Sequence, residues 1–163
     1  MMAQNCTVNN TNSKINFAVK NIGLTVNGSF SVATGNVIFD NKDLKNSNID
    51  ISVNANSVDT DNNARDKHLR QADYFDVEQF PTIAFKSVKI EKSNRLNRYN
   101  LEGILTIKGI SKTINLELIA IEKDQTLDLK CNFEINRRTF KVGGNSLVLS
   151  DNVKMNINIV CNK

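Results

Sequence analysis

The residues best suited to acid–base chemistry lie close together in one segment, at Arg65, Asp66 and His68. His68 is the only histidine of the chain, and a catalytic histidine needs a nucleophile or a carboxylate arranged around it. Asp66 lies two positions earlier, where a helix points its side chain in a different direction. No serine or cysteine elbow accompanies the histidine, and a lone histidine makes a weak metal site. We therefore interpret His68 as a structural residue and predict neither an enzyme nor a metal site.

Arg65 and Asp66 admit a structural and a functional interpretation. Arg65 precedes His68 by three residues and Leu69 by four, so the three share one helix face. The Arg65 guanidinium could join helix and loop carbonyl groups, and Asp66 could accept a hydrogen bond from a loop amide. Alternatively, Arg65 could bind an anionic head group through paired hydrogen bonds. We favour the structural interpretation and keep Arg65 and His68 as candidate head-group or mouth residues.

The cysteines Cys6, Cys131 and Cys161 offer a second kind of chemistry. Their spacing contains no CxxC pair, which argues against zinc binding and thioredoxin-type redox chemistry. Cys131 and Cys161 each continue an alternating apolar series, so both are interpreted as small core residues. Thiols are favoured over a disulfide, although an oxidising compartment would permit one bridge.

Alternation of apolar and polar residues dominates the chain and predicts β-strands. Over 127–135 and 153–161, apolar side chains recur at every second position, which is the period of a strand with one buried face. Asn27-Gly28 is predicted to close a tight hairpin. Polar turns separate other runs at residues 40–43, 93–94, 123–125 and 143–145. About eight or nine short strands predict an all-β barrel or sandwich in a single domain over residues 1–163.

One segment breaks the alternation and predicts a short helix. Residues 61–72 lack a period of two, and Asp61 can cap a helix, so we predict a helical insertion near residues 61–75. Strands of about ten residues, such as 99–108 and 126–137, favour a barrel over a sandwich. Eight strands enclose a lumen just wide enough for side chains or one ligand. Composition alone leaves open whether that lumen is filled or hollow.

The net charge and the hydropathy of the chain limit which binding partners the sequence predicts. The net charge is +4 and the pI about 9.0, which suits anionic surfaces. The basic residues are scattered, with Arg137-Arg138 the only adjacent arginines, so no nucleic-acid partner is predicted. No run approaches the roughly 20 apolar residues of a membrane helix. Residues 1–5 contain no apolar run typical of a signal peptide, which leaves open a cytosolic protein or an exported one whose signal has been removed.

The middle of the chain resembles the YceI-like family. Arg65–Leu69, then Asp73–Asp76, then Phe80–Phe85 are similar to that family's RDxHL, phenylalanine–aspartate and PxIxF pattern. Further matches are Ser13–Lys20 with its first core strand, Gly28–Phe30 with its glycine–x–phenylalanine turn, and Gly103–Gly109 with its paired-glycine strand. The matches run from about residue 5 to 161, and their ordered combination is specific.

This resemblance implies an eight-stranded antiparallel lipocalin-like barrel whose elongated apolar tunnel holds a polyisoprenoid, quinone or fatty-acid derivative. It also implies a periplasmic or cell-envelope location, with the cytoplasm as the alternative. The chain departs from the family pattern at Asn21, where histidine is frequent, and at Thr139 and Lys141, where R-x-D-F-G has aspartate and glycine. These departures bear on head-group contacts and on the backbone of that turn more than on the apolar interior.

We predict a non-enzymatic protein that sequesters or carries a long apolar ligand. The alternatives are a filled-core barrel acting as a structural or stress-related interaction module and, less favoured, a lipid-modifying enzyme. No cofactor is predicted beyond a bound lipid such as a polyprenyl chain or quinone. The predicted partner is a long-chain lipid or isoprenoid, and a transient membrane-surface contact and a homodimer stay open. The candidate ligand-binding residues combine inward strand positions with phenylalanines that bracket the helix: Phe17, Phe30, Phe39, Phe75, Phe80, Ile83, Phe85, Leu105, Ile107, Leu116, Leu118, Phe133 and Ile157.

Overall fold

Antiparallel strands account for most of the chain, and they end where polar turns interrupt the alternating runs. The computed structural model describes residues 5–31 and 33–163, so Met1 to Gln4, which entered the export prediction, lie outside the described residues. The strands are β1 (Asn5–Val8), β2 (Lys14–Asn21), β3 (Leu24–Phe30), β4 (Ala33–Ile38), β5 (Asn48–Asn54), β6 (Thr82–Lys92), β7 (Arg98–Ile107), β8 (Ile110–Glu122), β9 (Thr126–Asn136) and β10 (Asn152–Asn162). The other elements are helix α1 (Asn63–Leu69) and the 3-10 helices Leu44–Asn46, Ala55–Ser57 and Arg137–Phe140.

The strands form one closed barrel of eight strand positions. Hydrogen bonding runs in the order β1-β4-β5-β6-β7-β8-β9-β10, and β10 pairs back onto β1. β1 and β2 share one position, because β1 pairs with Cys161 and Asn162 while β2 pairs further along the same strand, from Asn158 to Lys154. β4 and β3, their respective partners, share the next position. The predicted eight-stranded antiparallel barrel is confirmed.

The two ends of the barrel are built differently. At one end, the floor, short connections join the strands at residues 39–47, 93–97 and 123–125. At the other end, the mouth, lie the hairpin at 22–23, the segment 55–81 that contains α1, the turn at 108–109 and the loop 137–151. The larger, irregular elements therefore gather at the mouth.

The segment 55–81 covers a gap in the wall beside β3. β3 pairs with β2 on one side. On its other side Ser29 donates its N–H to the Asp59 carbonyl at 2.8 Å, and Asp59 donates back to the Ser29 carbonyl at 2.9 Å. These bonds satisfy backbone groups that an edge strand would otherwise leave open and fix the start of the covering segment.

The hairpin between β2 and β3 turns at Ile22-Gly23, and the prediction that Asn27-Gly28 closes it is wrong. Ile22 and Gly23 have φ of 54° and 73°, which are the positive values that a tight hairpin turn requires at both central residues. Gly28 instead lies within β3, opposite Phe17. A Cβ at Gly28 would come within 2.2 Å of the Phe17 ring, so this glycine makes room for an aromatic side chain.

The predicted helical insertion is confirmed, with α1 at Asn63–Leu69. The residue that caps it is Asn62, and the prediction of Asp61 as the cap is wrong. The Asn62 Oδ1 accepts the backbone N–H of Arg65 at 3.0 Å, while Asp61 adopts a left-handed φ of 59° just before it. Among the described residues, no helix has the length and apolar character needed to cross a membrane.

The solid part of the core lies at the floor. Inward side chains of β4, β8, β9 and β10 are almost completely buried there: Val37 is 0% exposed, Leu118 1%, Leu127 1% and Cys161 0%. Side chains packed this closely leave no room for a channel. The barrel is therefore sealed at this end.

Candidate functional site

The mouth half of the barrel is hollow. A cavity of about 360 Å³ lies between the inward faces of the strands, which falls in the size range of small-molecule sites, about 300–1,000 Å³. At one level of its wall Phe17 on β2, Met155 on β10 and Phe133 on β9 stand side by side in register. The wall is mainly aliphatic and aromatic, with Asn21, Thr60, Arg65, His68, Tyr74 and Arg137 as polar or amphipathic members.

The burial of β9 shows where the solid core ends and the cavity begins. Its inward residues near the floor, Leu127 and Leu129, are 1% and 3% exposed. Cys131, Phe133 and Ile135 continue the same inward series toward the mouth, yet each is partly exposed. Inward residues become accessible only when the space in front of them is not filled by other side chains. Leu129 also lines the cavity, so the packed floor ends and the lumen begins between Leu127 and Cys131.

Most of the predicted ligand-binding residues lie in the cavity wall. They are Phe17, Phe30, Phe75, Ile83, Phe85, Leu105, Ile107, Leu116, Phe133 and Ile157. Arg65 and His68, the predicted head-group or mouth residues, also lie in the wall. Their contact with a ligand stays a prediction.

Three predicted ligand-binding residues lie away from the wall. Phe39 is buried at the floor, where its ring meets Tyr99 edge to face at 5.1 Å. Leu118 belongs to the same packed region. Phe80 packs against the turn at Gly109 and does not line the cavity. The alternation of a strand identifies its inward face but not how far along the barrel a residue lies. For this reason Phe39 and Leu118 were predicted to line the lumen.

The sequence prediction missed wall residues that carry the same parity signal. Val19 continues the series of Phe17, Ile135 that of Phe133, and Val153 and Met155 that of Ile157. The loop 137–151 adds three more wall residues, Phe140, Val142 and Leu149. No alternation marks that loop, so no pattern in the sequence pointed to them.

A chain of phenylalanines joins the covering segment to the barrel. The rings of Phe17 and Phe30 are 5.7 Å apart, and Phe75 meets Phe30 edge to face at 5.5 Å. Edge-to-face pairs at this separation are favourable beyond the area that they bury. Phe75 is held in turn by its backbone N–H, which donates to the Leu69 carbonyl at 2.9 Å. The segment is thereby attached to the wall by side chains that also line the cavity.

Phe85, another residue of the cavity wall, packs its ring against a glycine as Phe17 does. A Cβ at Gly103 on β7 would come within 2.2 Å of the Phe85 ring, the same relation as that of Gly28 to Phe17. Each glycine gives an aromatic ring space against the neighbouring strand. The glycines of the YceI-like resemblance at 28 and 103 therefore shape the cavity wall.

Arg65 and Asp66 hold the start of the covering segment, which confirms their structural interpretation. The buried Asp66 carboxylate accepts the Thr60 N–H at 2.8 Å and the Thr60 hydroxyl at 2.5 Å. Arg65 donates from Nε to the Thr60 hydroxyl and from its terminal NH2 to the Thr60 carbonyl, both at 2.8 Å. Successive residues of α1 thus hold the same threonine at the mouth.

Replacing Asp66 with alanine is expected to lower the free energy of unfolding by about 2 kcal/mol, because buried donors of Thr60 would lose their acceptor. Urea denaturation followed by circular dichroism measures the change. Asp124→Ala, in an exposed floor turn, is the matched control and should shift the value by less than about 0.5 kcal/mol. Equal effects of the two substitutions would contradict the role assigned to Asp66.

His68 forms a local pair at the mouth. Its Nε2 lies 2.8 Å from the Asp73 carboxylate, and both side chains are more than half exposed. Its ring meets Tyr74 edge to face at 5.0 Å. An exposed pair of this kind adds little stability by itself, but it orients the imidazole beside the cavity entrance.

Arg137 organises the loop 137–151, a role that the sequence prediction missed. The guanidinium is buried, and it donates to the carbonyl groups of Val142, Gly144, Leu149 and Ser150 at 2.8–3.3 Å. A second feature follows the 3-10 helix: Lys141 takes a left-handed φ of 57°, where the family pattern has glycine. Lysine therefore adopts the backbone conformation of the missing glycine, and the turn is kept.

Cys131 is a potentially nucleophilic residue in the cavity wall. Burial raises the pKa of its thiol to about 12, so the thiol stays protonated near neutral pH. The thiolate is the nucleophilic form of cysteine. Cys131 therefore contributes to the site as a small apolar group.

A closed eight-stranded antiparallel barrel with one short helix and an apolar interior defines a lipocalin-like barrel protein. The family model described as the YceI-like domain matches residues 7–161. The chain belongs to the YceI-like family, as its motifs predict.

Relatives and solved structures agree with this assignment. Protein YceI of Salmonella arizonae is 34% identical over 104 residues, which cover 63% of this chain and 53% of the relative; the chain thus matches about half the length of its curated relatives. BcnA of Burkholderia cenocepacia has a TM-score of 0.88 at 24% identity, covering 94% of this chain and 98% of that one. A polyisoprenoid-binding domain from Saccharophagus degradans, implicated in plant cell wall breakdown, has a TM-score of 0.80 at 14% identity, covering 99% of both chains. At these identities the two structures share the fold.

Proposed function

We propose that this protein sequesters or carries a long apolar molecule in the barrel cavity and catalyses no reaction. The observation that carries the proposal is an apolar cavity of about 360 Å³ above a sealed floor. A polyisoprenoid, a quinone or a fatty-acid derivative is the proposed ligand class. Family membership and the polyisoprenoid-binding neighbour support that class, and the family resemblance supports a periplasmic or cell-envelope location.

The hydrophobic effect is sufficient to hold such a ligand. Transfer of one methylene from water into an apolar site contributes about 0.8 kcal/mol. Burying about ten methylenes would therefore contribute roughly 8 kcal/mol, from which the entropic cost of immobilising the ligand is subtracted. The ligand needs no covalent bond to the protein.

The polar groups of the wall support binding over catalysis. Arg65 and Arg137 donate to the protein's own loop groups, and His68, which lines the cavity, is bonded to Asp73, which does not line it. Among the described residues, no aspartate or glutamate lines the cavity. The His68–Asp73 pair is more than half exposed at the mouth, whereas an enzyme of this shape would need acid and base groups that converge inside the lumen. We propose that Asn21, Arg65 and His68 instead meet the polar end of the ligand at the mouth.

The filled-core alternative fits only the floor half of the barrel. Packed side chains meet there, but the partly exposed Cys131, Phe133 and Ile135 face open space. A purely structural module gains no stability from leaving these side chains unpacked. The cavity therefore favours a carrier over a filled interaction module.

Ligand uptake by the purified protein tests the proposal. Organic extraction followed by mass spectrometry should recover a co-purified lipid. After lipid removal, a fluorescent fatty acid should bind saturably at one site, and geranylgeraniol or a short-chain ubiquinone should displace it. An empty extract together with no uptake of acyl, prenyl or quinone probes would exclude the proposed function.

A further inference from the structure

Four large apolar side chains are exposed at one place on the mouth. Ile22 and Leu24, at the hairpin between β2 and β3, are 73% and 74% exposed, while Leu147 is fully exposed and Val148 52% exposed on the loop 137–151. The other exposed large apolar residues of the described chain lie elsewhere: Leu96 is in a floor turn, and Val88 and Ile104 are on the paired strands β6 and β7. Scattered apolar residues are ordinary, whereas a contiguous exposed patch marks a surface that contacts something. We call these four side chains the rim patch.

Backbone hydrogen bonds make the rim patch one surface. Ile22 donates its N–H to the Val148 carbonyl at 3.0 Å, and Ser150 donates to the Lys20 carbonyl at 2.8 Å. Between these bonds, Asn21 and Leu149 form an isolated β-bridge. The hairpin and the loop therefore hold their apolar side chains in a fixed relation to each other.

The rim patch borders the cavity. Asn21 and Leu149 line it, and their immediate neighbours Ile22 and Val148 carry the exposed apolar side chains. A surface that covered the rim patch would therefore lie directly against the entrance to the lumen.

Ile22 shows that the fold itself does not account for the rim patch. A β-branched residue is strongly disfavoured at a positive φ, yet Ile22 has φ 54°. Its side chain is mostly exposed, so it contributes little packing within the chain. Asparagine or glycine would suit this turn better, and the apolar side chain becomes favourable only when it is covered from outside.

The charges beside the rim patch identify what covers it. Lys20 is exposed at the base of the hairpin and Lys141 is exposed on the loop 137–151, and among the described residues no salt bridge engages either ammonium group. The one carboxylate of the loop, Asp151, is already paired with both Arg137 and Arg138. Apolar side chains flanked by unpaired lysines are the pattern of a protein surface that binds anionic lipid.

We propose that the mouth docks on an anionic lipid bilayer. The rim patch enters the boundary between head groups and acyl chains, and Lys20 and Lys141 contact the lipid phosphates. The cavity entrance then faces the bilayer, so that an apolar molecule passes between membrane and lumen without crossing water. This last step rests on the proposed carrier function, whereas docking itself does not.

Sedimentation of the full chain with vesicles tests the docking. The protein should bind vesicles of phosphatidylcholine mixed with phosphatidylglycerol, bind phosphatidylcholine alone more weakly, and dissociate in high salt. The double substitution Ile22→Asn and Leu147→Ser should weaken binding at least about tenfold. Because asparagine tolerates the left-handed turn, this variant is expected to stay folded. Leu96→Ser, an exposed apolar residue at the floor, is the matched control and should bind as the wild type does.

Measuring fluorescent fatty-acid uptake in the absence of vesicles distinguishes membrane docking from ligand binding. None of the four rim-patch residues lines the cavity, so the double variant should take up the probe normally. Absence of vesicle binding by the wild type, or equal binding by the double variant, would overturn the docking proposal and leave the carrier proposal intact. Loss of a wild-type dimer in the double variant, seen by analytical ultracentrifugation, would assign the rim patch to a second copy of the chain and also overturn docking.

Discussion

Leu118→Ala is expected to lower the free energy of unfolding by about 3 kcal/mol, whereas Leu116→Ala should lower it by about 1 kcal/mol or less. The two leucines lie on β8 and point to the same side of the sheet. Leu118 is 1% exposed in the packed floor, so its removal leaves a void among tightly packed neighbours. Leu116 faces the existing cavity, where truncation removes few contacts and only enlarges a space that is already open.

This pair tests the division of the barrel into a solid half and a hollow half. Both changes remove the same atoms from the same strand, so differences in helix or strand propensity largely cancel. Urea denaturation at equilibrium gives the two free energies. Equal losses would mean that packing is uniform along the barrel, which would contradict a cavity in front of Leu116.

Cys131→Trp is expected to reduce uptake of a fluorescent fatty acid at least about tenfold, a loss of about 1.4 kcal/mol of binding free energy. Cys131 lies in the cavity wall at the level where the lumen opens and pairs across the sheet with Ile157. An indole placed there occupies space that the ligand would use. Because it enters a hollow, the added volume should cost less stability than the roughly 1–3 kcal/mol of overpacking a filled core.

Asn132→Trp is the matched control for this substitution. Asn132 is the next residue of β9, exposed on the outer face of the barrel. The same indole on the outside should leave uptake unchanged. Full uptake by both variants would place the ligand outside the lumen, and unfolding of Cys131→Trp alone would show that the wall cannot accept the indole; a smaller Cys131→Phe change then repeats the test.

Much of the fold follows from alternation in the sequence, because one-sided burial of a strand requires a period of two. Runs such as 127–135 therefore identified strands, faces and the barrel class. The turn at Ile22-Gly23 was missed because isoleucine is a poor turn residue, while Asn27-Gly28 has strong turn chemistry. In the folded barrel the space required by the Phe17 ring determines the position of Gly28, and that is a tertiary contact invisible to a local pattern.

The sequence predicted which types of residue line the candidate site, but not how far along the barrel each of them lies. Leu116 and Leu118 have the same type and parity, and only the three-dimensional packing separates a wall residue from a floor residue. The hydrogen bond from a loop amide to Asp66 was predicted, and its donor lies only six residues away in the sequence. The role of Arg137 was not, since it depends on how the loop 137–151 folds back over the guanidinium.

Because packed side chains such as Val37 and Cys161 seal the floor, the hollow is blind-ended. A flexible chain bound as proposed would enter it only tail first and would leave by the same route, so a new occupant would wait until the previous one had withdrawn. If the ligand chain were longer than the cavity is deep, the excess chain and its polar end would stay outside the barrel. The barrel would therefore discriminate among chains by the shape of their tails, and a molecule bearing polar groups at both ends would be excluded.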